Sequence, residues 1–138
     1  MIVVDTSVIV GYMNASDRLH AKVSAWLDAA DDDLATTPLI LSEVDHLLAT
    51  WGGRAALSAF RADLAAGAYL VEWWSSAIVV TVQVAERYAD TGLGLADASL
   101  VALAERLETE DIATLDERHF RAIRPLRGGV FTLLPADA

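Results

Sequence analysis

Residues 1–13, MIVVDTSVIVGYM, decide how this chain is read. Met1 to Val4 are apolar, the run ends at Asp5-Thr6-Ser7, and apolar residues then resume. A short, continuous, β-branched run that stops at a polar turn is the pattern of a strand buried on both faces. Asp5 is the anomaly, because a carboxylate in such a run is costly unless something compensates it. In parallel α/β sheets, ligands gather beyond the carboxyl ends of the strands, and Asp5 occupies such an end. The same place suits an acid that caps a following helix, and for Asp5 alone that explanation suffices.

Outward from this strand, strands and helices alternate. From about Asp17 to Ala30, Leu19, Val23, Trp26 and Leu27 share one helical face. Leu34 to Thr36 is a second short strand. Thr37-Pro38 starts a helix, with Thr as cap and Pro at the first position. This helix runs to Trp51, where Gly52-Gly53 stops it, and another spans Arg54 to about Ala65. Tyr69 to Val71 is a candidate strand. Ser75 to Tyr88 reads both ways: IVVTVQV alternates like a strand, while Ile78, Val82, Ala85 and Ala89 fit a helix. Leu95 to Leu107 is a helix with Ala96, Leu100, Leu103 and Leu107 on one face. Asp111 to Leu115 and Val130 to Leu134 are the last strands. The alternation predicts an α/β fold with a mainly parallel central sheet flanked by helices.

The length of 138 residues suits one domain, 1–138. No segment reaches the roughly 18 uninterrupted apolar residues of a membrane span. No basic region precedes the short N-terminal apolar run, so no signal peptide is read and a cytoplasmic protein is expected. The absence of cysteine excludes disulfides and thiolate chemistry. Twenty acidic residues against ten basic ones give a net charge of −10, which opposes a general nucleic-acid binder. That balance suits a cation or a basic partner, and equally plain solubility.

Three further acids compare with Asp5. Asp116, in IATLDERHF, also follows a short apolar strand. Glu43 lies in the helix TPLILSEVDHLLATW. At about 100° per residue, Ile40, Val44, Leu47 and Trp51 centre its apolar stripe, Glu43 falls about 60° away at the border, and Asp45 about 140° away. Glu43 is therefore read as half-buried, Asp45 as solvated and Trp51 as core. His46 is read as a surface residue. Asp97, in GLGLADASLVALAERL, sits in the first turn of its helix, where the helix dipole alone would favour a carboxylate. If Asp5, Glu43, Asp97 and Asp116 converge, they cannot all stay ionised in a partly apolar cleft. A divalent cation removes the conflict, and hard oxygen ligands point to Mg²⁺ or Mn²⁺. Such ions activate a water for attack on phosphorus.

The stretches VVDTSVIVGYM, TTPLILSEVDHLLA, YADTGLGLADASLVALAERL and IATLDERHF, in this order and spacing, resemble the PIN-domain nucleases, and among them the VapC toxins of VapBC toxin–antitoxin pairs. The resemblance covers nearly the whole chain. It implies a PIN-domain α/β fold in which IVVTVQVAERYA is helix. It implies that Asp5, Glu43, Asp97 and Asp116 are the catalytic, metal-binding acids, supported by Thr6, Ser7 and Thr114. Some relatives carry a further acid near the third or fourth; here Leu93 and Gly94 precede Asp97, and Glu117 adjoins Asp116. The resemblance also implies a metal-dependent endoribonuclease, a homodimer, and neutralisation by a cognate VapB-like antitoxin in a heterotetramer or larger assembly. Such an antitoxin wraps an apolar groove, for which Trp26, Trp51, Trp73 and Trp74 are candidates. Arg118, Arg121, Arg124 and Arg127, at every third residue after Asp116, are candidates to hold RNA phosphates; solvated arginines paired with nearby acids explain them equally well.

Two other functions compete with the nuclease. One is a catalytically silent PIN-like module that binds RNA or protein without cutting. The other is a phosphatase or phosphoacceptor domain with Asp5 as nucleophile. The latter fits poorly, because haloacid-dehalogenase enzymes need an Asp where Ser7 stands, and a receiver domain needs an acidic pair and a later lysine, whereas Lys22 is the only lysine.

Overall fold

A computed structural model describes residues 1–138. Five parallel strands form one sheet in the order β3-β2-β1-β4-β5: β1 Ile2–Val4, β2 Leu34–Thr36, β3 Leu70–Val71, β4 Asp111–Ala113 and β5 Thr132–Leu134. The α/β reading and the all-parallel sheet agree with expectation. Strand β1 is central. Val3 pairs with Ala35 on one side and with Ile112 on the other. The chain builds outward from β1 through β2 to β3, then crosses back to place β4 on the opposite side of β1. That reversal opens a crevice at the carboxyl ends of β1 and β4.

Seven helices flank the sheet: α1 Thr6–Met13, α2 His20–Ala29, α3 Pro38–Leu47, α4 Gly53–Ala65, α5 Ala77–Arg87, α6 Leu95–Leu107 and α7 Glu117–Arg121. Helix α1 escapes the sequence reading. Thr6, Val8, Ile9 and Gly11 are all buried, so the helix has too little polar face to show a period. Helix α6 is buried from Ala98 through Ala104 and anchors the core together with Val3, Val4, Ile40, Phe60 and Ile112. The ambiguous segment is the helix α5, with Ala77, Thr81 and Val84 buried. Its alternating valines fall partly outside that stripe, so Val79 and Val82 are exposed and Ile78 with them. No helix is long and apolar enough to cross a membrane.

The stretch from Pro38 to Ala65 breaks where expected and adds one detail. Helix α3 widens into a π-helical turn over Leu48–Gly52, and Gly53, at φ 82° and ψ 164°, interrupts the helix at the start of α4. Leu48 continues the four-residue spacing of Ile40 and Val44 into the core at 0% exposure, whereas beyond it the wider turn leaves Trp51 79% exposed. Trp51 is therefore not a core residue. Leu48 lies so close to the backbone that a Cβ at Gly52 would stand 2.7 Å from Leu48 Cδ2. Gly52→Ala overpacks this turn and is expected to lower the unfolding free energy by about 1–3 kcal/mol, read by urea denaturation; an unchanged midpoint would show that Leu48 yields freely.

Candidate active site

Asp5 ends β1 and caps α1. Its Oδ1 accepts the Thr6 N–H at 2.7 Å. Its Oδ2 accepts two hydroxyls, Ser7 Oγ at 2.7 Å and Thr114 Oγ1 at 2.8 Å. Each hydroxyl in turn accepts a backbone N–H from the turn after β4: Leu115 N–H to Ser7 Oγ at 2.9 Å and Asp116 N–H to Thr114 Oγ1 at 3.0 Å. Capping and cleft-facing are therefore not alternatives for Asp5. Burial pushes its carboxyl up from the ordinary range, while the bonds from Ser7 and Thr114 pull the other way.

Glu43, Asp97 and Asp116 line the same cleft as Asp5, a hollow of about 660 Å³ at the carboxyl end of the sheet. Helix α3 carries Glu43 and α6 carries Asp97. The starts of these two helices are joined by a buried pair of hydroxyls, Thr37 Oγ1 and Ser99 Oγ, 2.7 Å apart. Asp116 follows β4 and caps α7 by accepting the His119 N–H at 3.2 Å. The burial of Glu43 differs from expectation. Its side chain is exposed at the cleft rim, whereas Asp45 is the less exposed acid and is held by the Arg61 fork at 2.7 and 2.9 Å. Arg61 comes from α4, which a projection of α3 alone does not show. His46 is exposed, as read.

The electrostatics record the convergence. Burial raises the Asp97 carboxyl to about 6, and the charges of Asp5, Glu43 and Asp116 add to the rise, against a lowering from His119. Nothing on the chain fully neutralises these acids. No group of three His, Asp or Glu side chains is close enough, as placed, to hold one ion. The donor set is nevertheless all oxygen and suits a hard divalent cation. Thr6, in the cleft wall, adds an Oγ1 that is buried without any partner, a polar atom that a ligand or its water would satisfy.

Three residues at the site carry no clear sequence signal. His119 Nδ1 stands 3.5 Å from Asp97 Oδ2 and 3.4 Å from Asp116 Oδ2, while its Nε2 is buried and unpartnered. Asp17 and Arg18, in the turn before α2, also line the cleft. The four downstream arginines divide. Arg121 is paired with Asp137 and Glu117, and Arg127 with Glu105, so these two follow the solvated, ion-paired alternative. Arg118 borders a hollow next to the cleft, and Arg124 a separate one beside Asp137. Glu117, turned to Arg121, adds no acid to the site.

Known proteins share this fold. The chain is 40% identical over 134 residues to Ribonuclease VapC26 of Mycobacterium tuberculosis (strain ATCC 25618 / H37Rv), covering 96% of this chain and 99% of that protein. The model of the family described as PIN domain matches residues 2–125. The chain belongs to the VapC branch of the PIN-domain family. The PIN fold also superposes on the crystal structure of Mycobacterium tuberculosis VapC20, a sarcin-ricin-loop-cleaving toxin, with a TM-score of 0.80 at 20% identity over 88% of this chain and 95% of that one. It matches FitAcB from Neisseria gonorrhoeae with a TM-score of 0.65 at 22% identity, over 96% and 97% of the two chains.

In this PIN domain the folded Asp97 keeps its proton up to about pH 6, whereas an ordinary aspartate loses it near 3.8. The folded state thus binds more protons in that window, and stability falls as pH rises through it. Asp97→Asn removes the penalty. In chelator, it is expected to stabilise the chain by about 1–3 kcal/mol above pH 7, with the gain vanishing near pH 4. Thermal unfolding of both proteins across that range checks the sign, which reverses if Asp97 is favourably paired.

Proposed function

We propose that this VapC-family chain is a Mg²⁺- or Mn²⁺-dependent endoribonuclease toxin, acting in the cytoplasm and neutralised by a cognate VapB-like antitoxin. The observation that carries the proposal is the gathering of Asp5, Glu43, Asp97 and Asp116 in one cleft at the carboxyl ends of β1 and β4, together with 40% identity to a ribonuclease along nearly the whole chain. A divalent cation, when bound, supplies the Lewis acidity that activates a water and offsets charge at phosphorus. Asp5, immobilised by three hydrogen bonds, fixes one edge of the donor set. Asp97 is the acid whose ionisation the cation would favour most, since its proton is otherwise retained to about pH 6. Glu43 and Asp116, more exposed, adjust their carboxylates to the ligand. In hydrolysis the water oxygen forms a new bond to phosphorus as the P–O bond to the leaving ribose oxygen breaks, and the water's proton passes to that oxygen or to solvent; the acids would hold the cation and position the reactants.

A homodimer and an antitoxin groove find support in the apolar side chains left exposed: Leu70 and Val71 of β3, Trp73, and Ile78, Val79 and Val82 of α5. Trp26 and Trp74 are half-buried against the core, and Arg106 lies 5.2 Å over the Trp74 ring, which leaves Trp51 and Trp73 as the indoles free for contact. The open spacing of the acids favours the competing silent binding module, so the decisive test must separate charge from structure.

Asp5 is a poor choice for that test, because Asn would present an amide to hydroxyls that already donate to Asp5. Glu43 makes no hydrogen bond within the chain, so Glu43→Gln removes charge alone. The wild type is expected to cut RNA with Mg²⁺ or Mn²⁺ and to stop in EDTA. Glu43→Gln should lose at least the ~10–100-fold that even outer partners of a metal ligand cost, at an unchanged unfolding temperature, while Asp45→Asn stays active. Full cleavage by Glu43→Gln, or none by a folded wild type, would turn the assignment toward the silent module.

A further inference from the structure

We propose that Arg18 and Arg118 form a two-point phosphate clamp that lays a single RNA strand across the carboxylates; this rests on the nuclease assignment above. Arg18 is the only basic residue lining the acidic cleft. Arg118 lines the adjoining hollow, about 430 Å³, with Thr91, His119 and Asp116. Asp116 belongs to both walls, so the two hollows meet at one of the site carboxylates, with one arginine lining each hollow.

Availability and position together separate these two cations from the others: Lys22, Arg54, Arg87 and Arg124 are also in no ion pair but line neither hollow. Arg61, Arg106, Arg121 and Arg127 are each engaged by a carboxylate. Arg18 and Arg118 are exposed and in no ion pair, although acids surround both. Their backbones are nonetheless fixed. The turn holding Arg18 is closed by Asp17, whose Oδ1 accepts the Leu19 N–H at 2.9 Å, and by His20 Nδ1, 2.9 Å from Gly11 O. Arg118 lies in the first turn of α7, which Asp116 caps. A chain with a net charge of −10 repels an RNA backbone, and a cleft lined by five carboxylates does so most of all. Cations in the two adjoining hollows let neighbouring phosphates approach while leaving the acids free for the reacting one. Phosphate contacts of this kind set position and register, not base sequence.

The test uses the full chain carrying Glu43→Gln, to prevent cleavage, and a labelled single-stranded RNA oligonucleotide of mixed sequence, with binding followed by anisotropy across a salt series. Arg18→Gln and Arg118→Gln should each weaken binding severalfold at fixed salt and each reduce the slope of log affinity against log salt by about 0.7, the double variant by about 1.4. Arg121→Gln and Arg127→Gln should leave the slope unchanged. If the slope is the same with and without Arg18 and Arg118 while the parent chain cuts RNA, the clamp is overturned and the nuclease assignment stands. Equal losses for all four arginines mean diffuse attraction and also overturn it. A parent chain that neither binds nor cuts RNA overturns both.

Discussion

The hydrogen bonds that converge on the Asp5 carboxylate tie the molecule together at its functional end. Three donors reach it directly, and two of them, the hydroxyls of Ser7 and Thr114, are themselves held by backbone N–H groups of Leu115 and Asp116. The network thus joins the end of β1, the start of α1 and the turn after β4. Burying a carboxylate costs several kcal/mol, and hydrogen bonds to a charged group return about 1.5–3 kcal/mol each. The two are of similar size, which is why burial still leaves the Asp5 carboxyl above its ordinary range. A buried acid held this way cannot rotate, so Asp5 is a fixed reference against which the other acids are placed.

The other three acids are placed by different means and with decreasing rigidity. Asp97 rides on α6, the most deeply buried helix. Glu43 rides on α3, whose start is locked to that of α6 through Thr37 and Ser99. Asp116 depends on the short helix that it caps, and on His119, which stands between it and Asp97. The cleft is therefore rigid on the β1 and α6 sides and adjustable at Glu43 and Asp116. In the proposed nuclease, rigidity on one side would fix the geometry of the reacting phosphate, while the exposed carboxylates spare the fold the penalty of four buried charges.

Charge is handled by sorting. Near the functional end, Arg121 and Arg127 are absorbed by carboxylates away from the cleft, while Arg18 lines the cleft and Arg118 the adjoining hollow, neither in an ion pair. The acids in the cleft keep their mutual repulsion, visible in the raised Asp97. The same sorting applies to apolar surface: α5 buries Ala77, Thr81 and Val84 and leaves Ile78, Val79 and Val82 uncovered. Both features put at the surface groups that the isolated domain does not need for folding.

Local patterns in the sequence determined the strands and most of the helices. The run Met1 to Val4, the Thr37-Pro38 cap and the apolar face of Leu95 to Leu107 act within a few residues, so their signals survive in one dimension. The candidate acids were legible for the same reason, since Asp5 and Asp116 follow apolar strands directly, and the ordered motifs carried Glu43 and Asp97. Only the tertiary structure decided the rest. Helix α1 and the exposure of Trp51 depend on burial and on a π-helical turn that no ideal period anticipates. The relative burial of Glu43 and Asp45 was set by Arg61, sixteen residues beyond Asp45 and on another helix. Asp17, Arg18 and His119 became part of the site because the order of the strands reverses at β1 and brings distant turns onto one crevice, a proximity created in space that leaves no trace in sequence spacing.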